Sequence, residues 1–134
     1  MFPRPRATAA AAVAALLALV PTSAARVGAT EPPRPHGELF LTVSDADGTW
    51  TRGVRLVCPD QGGPHPRADE ACAALDRTQG EFRTLSDGTG HCTMEHAPVI
   101  ATASGTWRDG RITWEGRYPN ACDLARRTGA VFDF

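Results

Sequence analysis

The chain of 134 residues contains no lysine, so all 14 of its basic residues are arginine. It has 15 acidic residues. The sequence has no basic run and no basic stripe with interleaved aromatics, which argues against a nucleic-acid partner. Common enzyme motifs are missing too: there is no Gly-x-Ser-x-Gly, no phosphate-binding loop and no His-Glu-x-x-His. The sequence therefore predicts neither a nucleic-acid-binding protein nor an enzyme, and it predicts no cofactor.

Long apolar runs are absent after the first 25 residues. Within those residues, Arg4 and Arg6 precede an apolar run at 7–20, and small residues follow. This order is typical of a secretory signal peptide at residues 1–25, and the run is too short to span a membrane. We predict cleavage after Ala24 or Ala25. Loss of Arg4 and Arg6 reduces 14 basic residues to 12 against 15 acidic ones, a net charge of −3 for the secreted, extracellular protein.

Cysteine is scarce but even in number. Cys58, Cys72, Cys92 and Cys122 all lie in the predicted mature region. Export places them in an oxidising compartment, where four cysteines in a small chain predict two disulfides. The residues alone allow three pairings. Two bridges are expected to matter because a domain of this size buries only a modest core.

Hydrophobic patterning gives the order of elements along the chain. Three prolines in residues 26–37 predict a flexible arm ahead of a single domain at 38–134. Alternating apolar residues predict a first strand that begins at Glu38 and a second from Thr49 to Cys58. Apolar residues at i, i+3, i+4 and i+7 then predict a helix from about Pro66 to Arg77.

The pair Asp109-Gly110 lies between two alternating runs and is a strong hairpin signal. With this pair as the turn, large side chains face small ones on one side of the hairpin, as dense packing requires. The predicted pairs on that face are Trp107 with Ile112, Gly105 with Trp114, Ala103 with Gly116, and Ala101 with Tyr118. The other face is polar, so the hairpin is expected to bury one face only.

The C-terminal region predicts a short second helix and a last strand. Asn120 can cap the helix at its start, and Gly129 follows its last turn. Residues 131–134 alternate in the manner of a packed strand. The sum is an α+β fold in which an antiparallel sheet is covered on one face by two helices.

A segment without periodicity, Ser86 to Ala97, lies between the first helix and the hairpin. A loop this long in a small domain is usually functional or disordered, and Cys92 argues against disorder. A serine-protease inhibitor needs such a tethered, extended segment, which enters the cleft as substrate does with its reactive carbonyl in the oxyanion hole. Met94 is a large apolar residue in this polar loop and suits a subtilisin-type specificity pocket.

Several stretches, in this order, resemble the Streptomyces subtilisin inhibitor family, and the match runs from about Leu39 to the C-terminus. The order and spacing of all four cysteines agree with that family. The resembling stretches are Leu39-Phe40-Leu41-Thr42-Val43, Val54-Arg55-Leu56-Val57-Cys58-Pro59, His65-Pro66, Ala71-Cys72-Ala73-Ala74-Leu75, Cys92-Thr93-Met94, Pro98-Val99, Gly105-Thr106-Trp107, Asn120-Ala121-Cys122 and Val131-Phe132-Asp133-Phe134.

The resemblance implies a secreted homodimer with a five-stranded antiparallel sheet and two helices. It implies the bridges Cys58–Cys72 and Cys92–Cys122, and a reactive bond between Met94 and Glu95. The other residues that it implies contact the protease are Gly90, His91, Cys92, Thr93, His96 and Ala97. A Met at the primary position fits inhibition of subtilisin, with chymotrypsin-like enzymes as further targets and trypsin not among them.

Glu95, followed by His96, departs from the family, which commonly carries an apolar residue after the reactive bond. A carboxylate there has to stay solvated or find a donor, so we expect it to affect affinity and target range. The alternative from another class is a secreted β-rich binding module whose bridged loop recognises a partner that is not a protease. A zinc site at His91, Cys92 and His96 is not expected, because the spacing of a zinc ribbon is missing and disulfides would consume the thiolates.

Overall fold

The computed structural model describes residues 28–86 and 89–134. The predicted signal peptide lies outside the described residues. Residues 28–35 are exposed and have no regular secondary structure, and residues 32–134 group into one unit. No helix in the described ranges is long and apolar enough to cross a membrane.

Four strands form one antiparallel sheet. They are β1 (Gly37–Asp45), β2 (Thr51–Cys58), β3 (Val99–Trp107) and β4 (Gly110–Tyr118), in the order β2-β1-β3-β4. Because β1 pairs with both β2 and β3, it occupies the middle of the sheet and buries its alternate residues, Leu39, Leu41 and Val43. This alternation is what a sheet with one covered face requires. The predicted positions of the first four strands are confirmed to within two residues.

Two α-helices and two short 3₁₀ helices accompany the sheet. They are α1 (Ala68–Arg77), a 3₁₀ turn at Phe82–Thr84, α2 (Ala121–Thr128) and a 3₁₀ turn at Gly129–Phe132. α1 buries its apolar stripe of Ala68, Ala71, Cys72 and Leu75, as the spacing predicts. It begins at Ala68 instead of Pro66, because the backbone amide of Arg67 donates to His65 Nδ1 at 3.1 Å and holds that stretch in a turn.

One disulfide joins Cys58, at the end of β2, to Cys72 on the buried face of α1. Both cysteines are buried, so the bridge fixes α1 against the end of β2 within the core. The core continues into an aromatic group, in which the rings of Phe82 and Trp114 stack at 5.0 Å and Phe132 lies 5.7 Å from Trp114. The pairing implied by the family resemblance is confirmed for this bridge.

The predicted register of the hairpin is wrong by two residues. The observed pairs are Trp107 with Gly110, Gly105 with Ile112, Ala103 with Trp114, Ala101 with Gly116, and Val99 with Tyr118. The turn is therefore Arg108-Asp109, with Arg108 at φ +51°. The Arg108 amide donates to the carbonyl of His36 at 2.5 Å, a contact with the start of the domain that holds Arg108 in the turn. A shift of two residues leaves each side chain on its face, so the prediction of one buried face holds.

The predicted final strand at residues 131–134 is also wrong. Ala130, Val131 and Phe132 are buried in succession within a 3₁₀ helix, which a strand with one covered face does not permit. The carbonyl of Val131 accepts a hydrogen bond at 3.0 Å from Nε2 of the buried His65 instead of pairing with a strand. The sheet of the described residues accordingly has four strands, and the expected fifth is absent from it.

Gly105 supports a sharp test of this packing. Its φ is +143°, and a Cβ at this position would lie 2.1 Å from the carbonyl oxygen of Glu38 on β1. We expect Gly105→Ala to reduce the free energy of unfolding by about 2–4 kcal/mol, since it combines backbone strain with overpacking. Urea unfolding measures the loss. Gly110→Ala is the matched control, because an added Cβ there would meet the Trp107 carbonyl oxygen at an ordinary 3.5 Å, and it should change stability by no more than about 0.5 kcal/mol. Equal effects of the two changes would contradict the close packing of β3 on β1 at Gly105.

Candidate functional site

Residues 90–97, here called the 90–97 loop, lead into β3 without regular secondary structure. Gly90 adopts φ +91°, a left-handed conformation that favours glycine. Seven of the eight residues are exposed, and only Cys92 is partly buried. The residues that the sequence predicts to contact a protease therefore lie side by side in one exposed loop.

Cys92 ties the loop to the rest of the domain. It forms a disulfide with Cys122, in the first turn of α2, across a sequence separation of 30 residues. All four cysteines are thereby paired, and both bridges implied by the family resemblance are present. The bridge restrains the loop two residues before Met94.

The side chain of Asn120 holds the loop through the carbonyl groups of Thr93 and Glu95, the residues on either side of Met94. Its side-chain amide Nδ2 donates to the carbonyl oxygen of Glu95 at 2.9 Å and to that of Thr93 at 3.5 Å. The Oδ1 atom of the same side chain accepts from the backbone amide of Asp123 at 2.8 Å and so caps α2. Asn120 is buried, which shields these bonds from competing water. The sequence predicted the cap, and the structure adds the contact with the loop.

Two backbone hydrogen bonds fix the end of the loop. The amide of Ala97 donates to the carbonyl of Pro119 at 3.0 Å, and the amide of Ala46 donates to the carbonyl of Pro98 at 3.1 Å. Both bonds join backbone groups, which almost every residue type carries, so the sequence did not predict them. Together with Asn120 and the disulfide, they attach the loop on both sides of Met94.

The turn between β1 and β2 lies beside the end of the loop and carries its own hydrogen bonds. The hydroxyl of Thr49 and, at 3.1 Å, the amide of Trp50 both donate to the carboxylate of Asp45. The Thr49 hydroxyl contributes most to holding the pKa of Asp45 below its usual value, and the backbone amide of Trp50 adds to it. The turn that supports Pro98 is therefore stabilised by an ionised carboxylate.

Met94 stands free of these attachments. Its relative exposure is 102%, compared with 53% for Phe40 and 41% for Trp50, the other exposed large apolar residues among those that the structure describes. Within the described ranges, no hydrogen bond to its carbonyl oxygen is found, whereas the carbonyls before and after it are both bound. The arrangement therefore presents the apolar side chain of Met94, with its carbonyl oxygen not hydrogen-bonded, between two residues that are held in place.

The other side chains of the loop offer no metal centre. Glu95 and His96 are exposed, as is His91. Cys92 is consumed by its disulfide, and no group of three or more metal-ligating residues occurs in the part of the chain that the structure describes.

These features define a class: a small disulfide-bonded α+β domain that presents one exposed loop held in place by a disulfide and hydrogen bonds. Comparison with known proteins specifies the class further. The model of the subtilisin inhibitor-like family matches residues 36–120. This chain belongs to that family.

Curated relatives agree with this assignment. Over 102 residues the chain is 42% identical to subtilisin inhibitor-like protein 2 of Streptomyces rochei, covering 72% of this chain and 90% of that protein. It is 33% identical over 133 residues to kexstatin-1 of Streptomyces platensis, covering 90% and 92%. Among solved structures, sermetstatin of Streptomyces caespitosus, in complex with Bacillus licheniformis subtilisin, is similar with a TM-score of 0.58 and 28% identity, covering 72% of this chain and 97% of sermetstatin.

The two roles of Asn120 can be separated by substitution. Asn120→Ser keeps a good helix cap but removes both amide donors to the loop. We expect the Ala97 amide to exchange with solvent faster in this variant while the amides of α2 keep their protection, as amide hydrogen exchange would measure. Asn120→Ala should cost about 1 kcal/mol more in unfolding free energy because it also removes the cap. An unchanged loop in Asn120→Ser would show that the amide donors do not restrain it.

Proposed function

We propose that this protein is a secreted inhibitor of subtilisin-like serine proteases that binds as a substrate does, through the 90–97 loop with Met94–Glu95 as the reactive bond. The observation that carries the proposal is the exposed Met94 between two carbonyls that Asn120 holds in place. Membership of a family whose named members are protease inhibitors supports it and argues against an enzyme.

The loop has the properties that the active site of a serine protease requires of a ligand. Met94 would fill the primary specificity pocket, and its unengaged carbonyl would enter the oxyanion hole beside the catalytic serine. Thr93 and Cys92 would occupy the subsites before it. Because the disulfide and Asn120 order the loop before binding, little conformational entropy is lost on association, which favours tight binding.

The attachments also explain why cleavage of the bond would be unproductive. If the Met94–Glu95 peptide were cut, Cys92 would hold the acyl side through its disulfide. Asn120 and Pro119 would hold the leaving side at Glu95 and Ala97. The new amine would therefore stay near the acyl group at a high effective concentration, so that religation competes with hydrolysis. The protease remains occupied.

Specificity in this proposal comes from the two sides of the reactive bond. An unbranched, flexible Met94 fits an apolar primary pocket, as in subtilisin and chymotrypsin-like enzymes. Glu95 adds a negative charge on the leaving side, where its exposed carboxylate would meet the protease cleft. Proteases with a basic group there would be favoured, and those with an acidic group disfavoured.

A titration tests the proposal. Increasing amounts of the purified protein added to subtilisin should abolish activity near an equimolar ratio, as followed with a chromogenic peptide substrate. Mass spectrometry of inhibitor recovered from the complex should find any cleavage between Met94 and Glu95. Full protease activity at excess inhibitor would reject the proposal in favour of a secreted binding module for another kind of partner.

The identity of the primary contact is tested by Met94→Lys. The change should shift inhibition from subtilisin toward trypsin, since trypsin has an acidic primary pocket that binds a cationic side chain. Inhibition constants for the two enzymes, measured on both variants, give the readout. Ala73→Lys, at an exposed position of α1, is the control for added charge and should not create trypsin inhibition. Equal inhibition of both enzymes by both Met94 variants would mean that another residue fills the pocket.

We propose further that the protein is a homodimer that pairs through the open face of the sheet. On that face Phe40 is 53% exposed and lies over Gly53, where an added Cβ would come within 2.8 Å of its ring. The hydroxyls of Thr42 and Thr102 satisfy each other at 2.5 Å, so this part of the face can be covered without leaving them unpaired.

Sedimentation equilibrium tests the dimer. We expect Phe40→Glu to weaken self-association at least tenfold, because it places a charge where the two sheets would meet. Trp50→Glu, which changes an exposed aromatic residue outside the strands, should leave association unchanged. A wild-type protein that is monomeric at micromolar concentration would contradict the proposal.

A further inference from the structure

Met94 carries an exposed thioether, which sets it apart from the other sulfur-containing residues of the described chain. The chain has two methionines, and the other, Met1, belongs to the predicted signal peptide outside the described residues. All four cysteines are paired in disulfides, so no thiol competes for an oxidant. The only thioether among the described residues is thus carried by their most exposed large apolar side chain.

We propose that Met94 is an oxidation site through which peroxides switch the inhibitor off; this rests on the proposed function. In the step, the Met94 sulfur attacks one oxygen of hydrogen peroxide, an S–O bond forms as the O–O bond breaks, and water leaves. The sulfur loses two electrons and the peroxide gains them, giving the sulfoxide. A sulfoxide reductase that draws electrons from a dithiol reverses the change.

The loop should survive this modification. Its attachments run through the Cys92 disulfide, the carbonyls of Thr93 and Glu95, and the backbone of Ala97. None of them uses the Met94 side chain. Because that side chain is fully exposed, the added oxygen meets only solvent in the free protein. Oxidation therefore leaves the fold and the loop conformation intact.

The consequence lies in the complex with the protease. An apolar primary pocket takes up the thioether with little cost, but it offers few donors for the strongly polar S=O group, which is desolvated on entry. We expect the inhibition constant for subtilisin to rise about 10- to 100-fold, with each factor of ten corresponding to about 1.4 kcal/mol. The inhibitor would then fail in strongly oxidising surroundings, where its protease would be released.

The experiment compares the full chain with its Met94→Leu variant, which keeps an apolar side chain of similar size and has no sulfur at this position. Both are treated with hydrogen peroxide, freed of peroxide with catalase, and titrated against fresh subtilisin, and the inhibition constant of each treated protein is compared with that of its own untreated sample. Peptide mass mapping follows the gain of one oxygen on the segment containing Met94. We expect weaker inhibition by the oxidised native protein only, and recovery after treatment with a methionine sulfoxide reductase. Because Met1 and the exposed Trp50 occur in both proteins, the variant accounts for their oxidation.

The outcomes distinguish this inference from the function on which it rests. If both untreated proteins inhibit subtilisin but fully oxidised native protein inhibits equally well, the inference is overturned and the inhibitory function stands. Equal loss of inhibition in the oxidised Met94→Leu variant would also overturn it, since the sensitive group would lie elsewhere. If neither untreated protein inhibits, the proposed function is wrong and this inference falls with it.

Discussion

The attachment of the 90–97 loop to the segment 119–122 is the constraint on which the functional geometry depends. Pro119, Asn120 and Cys122 each bind the loop, through a backbone carbonyl, a side-chain amide and a disulfide. The segment is itself fixed because β4 ends at Tyr118 and α2 begins at Ala121. The loop is thus held in one conformation by residues between the sheet and the helix, although it has no regular secondary structure.

Asn120 connects this local constraint to the stability of the domain. One end of its amide caps α2 and the other end binds the loop carbonyls, so the start of the helix and the crest of the loop share a residue. A buried polar side chain is tolerated when its hydrogen bonds are made, and here both ends of the amide have partners. Because the helix cap fixes the Asn120 side chain, the amide donors reach the loop from a position that the start of α2 holds.

The same attachments leave Met94, Glu95 and His96 exposed, so the side chains to which the proposed function assigns affinity and selectivity do little for the fold. Substitutions at these exposed positions are expected to cost little stability, whereas loss of a cysteine or of Asn120 would remove an attachment of the loop. In the proposed function, this separation would let the reactive surface change while the architecture is kept.

The sequence by itself determined the local elements and the position of the loop. The alternation of Leu39, Leu41 and Val43, the helical stripe of α1 and the cap at Asn120 are encoded by neighbours along the chain, and the family resemblance supplied both disulfides. Only the tertiary structure decided the register of the hairpin, because the Arg108 amide bonds to His36. It also decided the helical form of 129–132, because Ala130, Val131 and Phe132 are buried in succession and the Val131 carbonyl is bound to His65. Those choices depend on partners distant in sequence, as do the bonds from Asn120 to the loop, and a pattern read along one chain does not contain them.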